Sequence, residues 1–286
     1  MIIVLVLFLV ILAALFLFSW GKYADIVNSL DKKEYPAKGI LPIGLYLLEA
    51  VRYSFNTTYD RKLLAAIIEL NGPKRALMLL KVHWGGKISM MLFSLLFAFF
   101  VGTVTVTDAG YIVFCVLLPA GIAYFGDRDL FERIKKRRTA IQLDFPDFVN
   151  KLTLLINAGM TVTRAWEKTS ADSSRQTPLY REISSAIQDI RSGMPEHKAY
   201  EEFAKRCRVP VVTRFISVVL QNIRKGNAEL VPILRVFANE CWELRKNTAK
   251  RYGEEASTKM LLPMMLMFFA ILLIVGMPAV LALKNI

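Results

Sequence analysis

The chain has 286 residues, 55% hydrophobic and 21% charged, with a formal net charge of +13. A mean hydropathy of +0.40 excludes an ordinary soluble domain, and the charged fraction excludes a chain wholly embedded in lipid, so the apolar residues must be clustered. The excess of Lys and Arg lacks the aromatic interleaving or docking motif of a nucleic-acid binder. No nucleic-acid partner is expected; retention of basic residues beside membrane spans and attraction to anionic lipid headgroups account for the charge.

In chain order, Met1 to Trp20 carries no charged residue and lacks the basic start and small-residue cleavage site of a secretory signal, which predicts a transmembrane anchor over residues 1–20. Residues 21–88 read as a cytoplasmic helical region. Within it, Ile40 to Val51 is too short to span and contains Pro42 and Glu49, which suits a packed or interfacial helix. Tyr59 to Leu70 and Pro73 to His83 are amphipathic helices split by Asn71, Gly72 and Pro73. Ser89 to Thr107 and Tyr111 to Phe125, joined around Asp108, predict a transmembrane hairpin over residues 89–126, its second arm short for a full crossing.

Residues 127–259 carry apolar stripes at helical spacing: Phe145, Phe148, Val149, Leu152 and Leu155; Val212, Phe215, Ile216, Val219, Leu220 and Ile223; Leu230, Ile233, Leu234, Phe237, Cys241 and Leu244. Glycines at Gly159, Gly193 and Gly226 fall where helices would end. This predicts about six helices in a cytoplasmic antiparallel bundle. A charged helix beginning near Glu229 runs, with Gly253 as a weak point, into the apolar residues 260–283, a final transmembrane helix. The fold class expected is therefore an all-α integral membrane protein with about four transmembrane helices. Lys22, Lys32 and Lys33, Lys81 and Lys87, Arg128 to Arg138, and Lys250, Arg251 and Lys259 flank the spans on one side, which orients the N-terminus outward and both polar regions toward the cytoplasm.

Signatures of chemistry are missing. Gly86 and Lys87 have neither the first glycine nor the hydroxyl residue of a phosphate-binding loop. Gly126 and Asp127 form half of an intramembrane aspartic protease signature, with Tyr124 where glycine is needed and no matching second aspartate. Cys115, Cys207 and Cys241 are scattered, and His83 and His197 have no sequence partner at ligand spacing. No catalytic residue, metal site or cofactor is expected. Arg164, Glu167, Arg191, Glu196, Arg224 and Lys225 lie near or between the bundle's turns, where solvated helix faces and a partner-docking surface are both compatible readings.

The run Phe145, Pro146, Asp147, Phe148, Val149, then Leu152, Leu155, Ala158, Gly159, Met160, Thr161 and Ala165 resembles the opening of the type II secretion system F domain, with Phe145 where that pattern has leucine. Gly193, Ala199, Phe203, Arg206, Phe215, Leu220, Gly226, Leu234 and Ala238 resemble its second half. Glu255, Ala256, Lys259, Pro263 and Pro278 are similar to the entry into the last membrane helix of Tad-type (Flp) pilus assembly proteins, TadC more than TadB. The resemblance covers Phe145 to Pro278, and only one copy of the domain is found. It implies a multi-pass platform protein of the bacterial inner or plasma membrane that is not an enzyme. Its implied partners are a cytoplasmic secretion ATPase, a TadB-like platform subunit or a second copy, pilin subunits and membrane lipids. Pro263 and Pro278 are the expected soft points of the last helix, because proline removes a backbone hydrogen bond. A membrane enzyme or a transporter is the alternative.

Overall fold

The computed structural model of the chain describes residues 2–19, 21–30, 38–103, 108–171, 177–223 and 227–284. Among these residues there are helices and no strands, as the apolar periodicity predicts. The chain divides into two compact units, Met1–Arg137 and Arg138–Ile286. Among the described residues three helices are long and apolar enough to cross a membrane, Ala76–Val101, Ala109–Asn157 and Leu230–Met277.

The first unit contains α1 (Ile2–Ser19), α2 (Ala24–Asn28), α3 (Leu41–Ala50), α4 (Thr58–Asn71), α5 (Ala76–Val101) and the start of α6 (Ala109–Asn157). The expected first span is a helix, but its 18 residues rise only about 27 Å, slightly under a hydrocarbon core of about 30 Å. It packs on α3 and α5, burying Leu12 and setting Phe8 edge-to-face against Phe99 at 5.4 Å.

Two sequence expectations need correction here. Pro73 to His83 and the span from Ser89 are not separate elements, because α5 runs unbroken through Gly85 and Gly86. The short second arm of the hairpin continues past Gly126, as its length requires, since α6 runs on through the basic run to Asn157. Pro42 does not interrupt α3; it sits in the first turn, where its missing N–H is not needed.

Gly85 survives inside α5 because it is a contact. A Cβ built on Gly44 of α3 would lie 1.9 Å from the Gly85 carbonyl oxygen, so the two helix backbones touch. Ser89 seals the crossing: its hydroxyl donates to the Ile40 carbonyl at 2.8 Å and accepts from the Gly44 N–H at 3.0 Å. Leu41, Leu45, Leu63, Ile67, Leu79, Leu80 and Val82 bury the apolar faces of α3, α4 and α5 around it.

The second unit consists of the remainder of α6, α7 (Val162–Ala171), α8 (Pro178–Arg191), α9 (Glu196–Cys207), α10 (Pro210–Ile223) and α11 (Asn227–Lys284). Consecutive helices from α7 to α11 pack on one another. Their core is an aromatic chain. Phe145 meets Phe215 edge-on at 5.3 Å, Phe148 meets Trp166 at 5.0 Å, and Trp166 contacts Tyr200 at 4.7 Å and Phe203 at 5.0 Å. Phe237 on α11 closes the chain against Phe215. Phe145, the position that departs from leucine in the family pattern, is fully buried here, where a ring gains edge-to-face contacts that leucine lacks.

Helix ends follow the glycine signals. After α6, the N–H groups of Gly159 and Met160 bond to Ile156 and Leu155; after α8, those of Gly193 and Met194 bond to Ile190 and Asp189. Each pair is the double bond of a left-handed helix cap, and Gly159 and Gly193 have φ of +90° and +94°. Gly226 lies outside the described residues. Helix α11 begins at Asn227, buries Leu230, Leu234, Phe237, Ala238 and Cys241, and continues through Lys259 and Pro263 into an exposed apolar surface from Met260 to Met277. A soluble monomer does not leave such a surface to water, so a membrane or another apolar helix must cover it.

The Gly44 contact yields a sharp contrast. Gly44→Ala is expected to destabilise the protein by about 1–3 kcal/mol through overpacking. Gly86→Ala, whose nearest new contact is Leu41 at 3.8 Å, is expected to be neutral or to stabilise by up to about 1 kcal/mol through helix propensity. Thermal midpoints in detergent check both; equal midpoints for the two variants would refute the contact.

Candidate functional site

Within the second unit, Arg164, Glu167 and Lys168 of α7 and Arg191 of α8 line a shallow hollow of about 510 Å³, floored by the cap at Ala158, Gly159, Met160 and Thr161. The capped turn of α6 brings α7 in immediately, Thr161 accepting from the Arg164 N–H. The sequence-predicted residues Arg164, Glu167 and Arg191 are thus brought together. Arg191 Nε bonds Glu167 at 3.2 Å, an exposed pair of a kind that contributes at most about 1 kcal/mol. Three cations against one carboxylate leave the hollow basic, a complement to an acidic segment.

Glu196 stands in the first turn of α9. It and Glu167 both act on the buried Tyr200, whose phenol is pushed up to about 12, chiefly by burial and then by these two negative charges. Arg224 and Lys225 lie outside the described residues. Lys168 was missed by the sequence reading, although it stands one helical turn after Arg164 and so shares its face. Arg206 braces α9 to α8, reaching Glu182 at 2.8 Å and Asp189 at 3.1 Å.

The first unit holds a polar cluster that the sequence did not disclose. Asp127, just past the apolar start of α6, receives Lys87 at 2.8 Å on one oxygen and His83 at 3.0 Å on the other, and Tyr59 also donates to it. Lys87 further donates to the Tyr59 hydroxyl at 3.0 Å and lies over the Tyr59 and Trp84 rings. The three charged or polar partners of Asp127 come from α4 and α5. His83 thus has the partner that sequence spacing denied it. The available signal was local: His83 and Lys87, four apart on a helix, present one face.

Next to it, Asp60 closes the N-terminal capping box of α4 with Thr57 and is fully buried. It accepts from Trp84 Nε1 at 2.8 Å and from the Tyr53 hydroxyl at 2.9 Å. Burial alone would raise the Asp60 carboxyl, but the hydrogen bonds from Thr57, Tyr53 and Trp84 outweigh it and hold the group below its ordinary value. The Tyr59 phenol is raised, first by burial and then by its bond to Asp127. Among the described residues no group of three or more His, Cys, Asp or Glu is arranged to hold a metal ion.

Residues 148–278 match the family model for type II secretion system (T2SS), protein F. The class defined is an all-helical membrane protein with apolar spans and a helical bundle. The matched residues lie within its second unit. Neither the curated proteins nor the solved structures give a match to the chain.

Asp127→Asn is expected to destabilise by about 1–3 kcal/mol, because it removes the charge partner of the partly buried Lys87. Adding Lys87→Gln should recover part of that loss, so the double variant melts above the sum of the singles; strict additivity in a denaturation cycle would contradict the pairing. For Asp60, whose folded value is depressed, stability is fully present at neutral pH. It is lost as pH falls from the ordinary carboxylate range near 4 toward the folded value. Asp60→Asn should therefore flatten the acid limb of a melting-versus-pH curve below about pH 4, and an unchanged limb would refute the assignment.

Proposed function

We propose that this protein is a platform of a Tad-type, type IV-like pilus assembly or type II secretion machine in a bacterial inner or plasma membrane. In this reading the bundle is cytoplasmic and couples an ATPase to insertion or extraction of pilin helices, working beside a TadB-like subunit or a second copy, without turnover of its own. The observation that carries it is the matched domain placed on a helix, α11, that passes from the bundle core into an exposed apolar run. The basic hollow at Arg164, Lys168 and Arg191 supports a dock for an acidic ATPase segment, with Glu167 exchanged for the partner's carboxylate at little cost. Glu196, Arg224 and Lys225 are proposed as the rim of that dock. Pro263 and Pro278 are proposed as the points at which α11 bends under load, Lys259 marking its entry into lipid.

The alternative, a membrane enzyme or transporter, would have to rest on Asp127. Both of its oxygens are occupied by donors, and the nearby Asp129 is paired with Arg133 at 2.8 Å. A carboxylate held by three donors, with no second one sharing its proton among the described residues, lacks the arrangement that activates water.

The deciding experiment is capture of the cognate secretion ATPase by the detergent-solubilised full chain. Wild type should retain it; an Arg164→Glu, Arg191→Glu variant, altered only at exposed positions, should lose binding about tenfold or more with an unchanged melting point. Pro263→Ala should retain the ATPase yet assemble few or no filaments in cells. Capture by neither wild type nor variants would reject the platform reading.

A further inference from the structure

A cavity of about 420 Å³ opens in the first unit, between α3, α4, α5 and the first part of α6. This volume is within the range of small-ligand sites. Its lining is divided by chemistry. Leu41, Ile67, Leu79, Met90, Ile122 and Leu130 make it apolar, while Lys38, His83, Lys87 and Arg133 supply cationic or donor groups, with Asp129 as the acid.

The division follows the helices. Helix α5 carries no charged residue after Lys87 as far as its end at Val101, and α6 carries none from Ala109 to Gly126. The two are joined as a hairpin by a bond from the Tyr111 hydroxyl to the Ala98 carbonyl at 3.0 Å, so their apolar parts lie side by side. Met90 and Ile122 therefore line the cavity from the apolar part of each helix, and Lys87 and Arg133 from the charged part. An occupant meets only apolar side chains at the Met90 and Ile122 end, and cations set among Leu79, Val82 and Leu130 at the other, in the sense that a bilayer lipid does.

We infer that this cavity is a site for one anionic phospholipid, its acyl chain against Met90 and Ile122 and its phosphate against Lys38, Lys87 and Arg133. Donors remain for it. The Lys87 ammonium has three hydrogens and gives two to Asp127 and Tyr59; Arg133 gives its Nε–H to Asp129 and keeps the guanidinium's outer fork. Lys38 brings a cation from the turn before α3. A free phosphate would satisfy these donors but leave the apolar lining empty, and an uncharged lipid would fill that lining but leave the donors unused. The inference depends on α5 and α6 lying in a membrane and not on any ATPase or pilin, so it stands or falls separately from the platform reading.

The test is native mass spectrometry of the full chain in a neutral detergent, titrated with phosphatidylglycerol or phosphatidylcholine of identical chains, and in a third arm with inorganic phosphate as competitor. One phosphatidylglycerol per chain should bind about tenfold tighter than phosphatidylcholine. Lys38→Gln with Arg133→Gln should abolish that preference at an unchanged melting point, Met90→Trp should weaken both lipids, and millimolar phosphate should not displace the lipid. Equal affinity of the wild-type chain for the two lipids, or a preference untouched by the charge variant, would overturn the inference. Displacement by phosphate would reassign the site to a soluble anion.

Discussion

Much of the first unit's arrangement depends on how the carboxylate of Asp127 is neutralised where α6 leaves its apolar run. A charge at such a place is costly unless it is paired and its lone pairs are filled. Lys87 supplies the charge, His83 and Tyr59 the remaining donors, and each must arrive from α4 or α5 at hydrogen-bond distance. Tyr59 is next to Asp60, whose own carboxylate ties α4 to Trp84 on α5. Two adjacent residues of one helix therefore bind two neighbouring helices through two separate carboxylates. The close approach of Gly44 to Gly85 fixes α3 against the same face of the unit, leaving the cavity bounded by elements that cannot easily slide.

The second unit solves a different problem. Helices α7 to α10 are only 10 to 14 residues long, so their cohesion comes from the aromatic chain through Phe148, Trp166 and Phe215 and from the Arg206 brace between α8 and α9. Rings provide large buried area with few rotatable bonds, which suits a bundle of short helices. The charged faces are then free of structural duty, and the exposed pair of Arg191 with Glu167 exemplifies charge kept where it adds little to stability.

The sequence made some of this legible and hid the rest for physical reasons. The stripes of α6, α10 and α11, the caps at Gly159 and Gly193, and the continuity of α11 all depend on residues within a few turns of one another, and periodicity exposes them. The purpose of Gly85 was hidden because it is met by Gly44, some forty positions earlier. Asp127 looked solitary for the same reason, since its partners reside at positions 59, 83 and 87. Arg164, Glu167 and Arg191 were found by their nearness to turns, which carries them to one rim, but whether that rim meets a partner is not written in the spacing.

The described tryptophans occupy three different settings. Trp166 sits buried among three rings, its Nε1–H without an acceptor among the described residues. Trp84 gives its N–H to the Asp60 carboxylate, and Trp242 is about half exposed beside Arg245. Indole emission shifts toward the blue as water and hydrogen-bonding partners are withdrawn. The bundle core thus carries a built-in short-wavelength reporter in Trp166, distinct from Trp84 in the other unit, so loosening of either unit would register at its own colour without any attached dye.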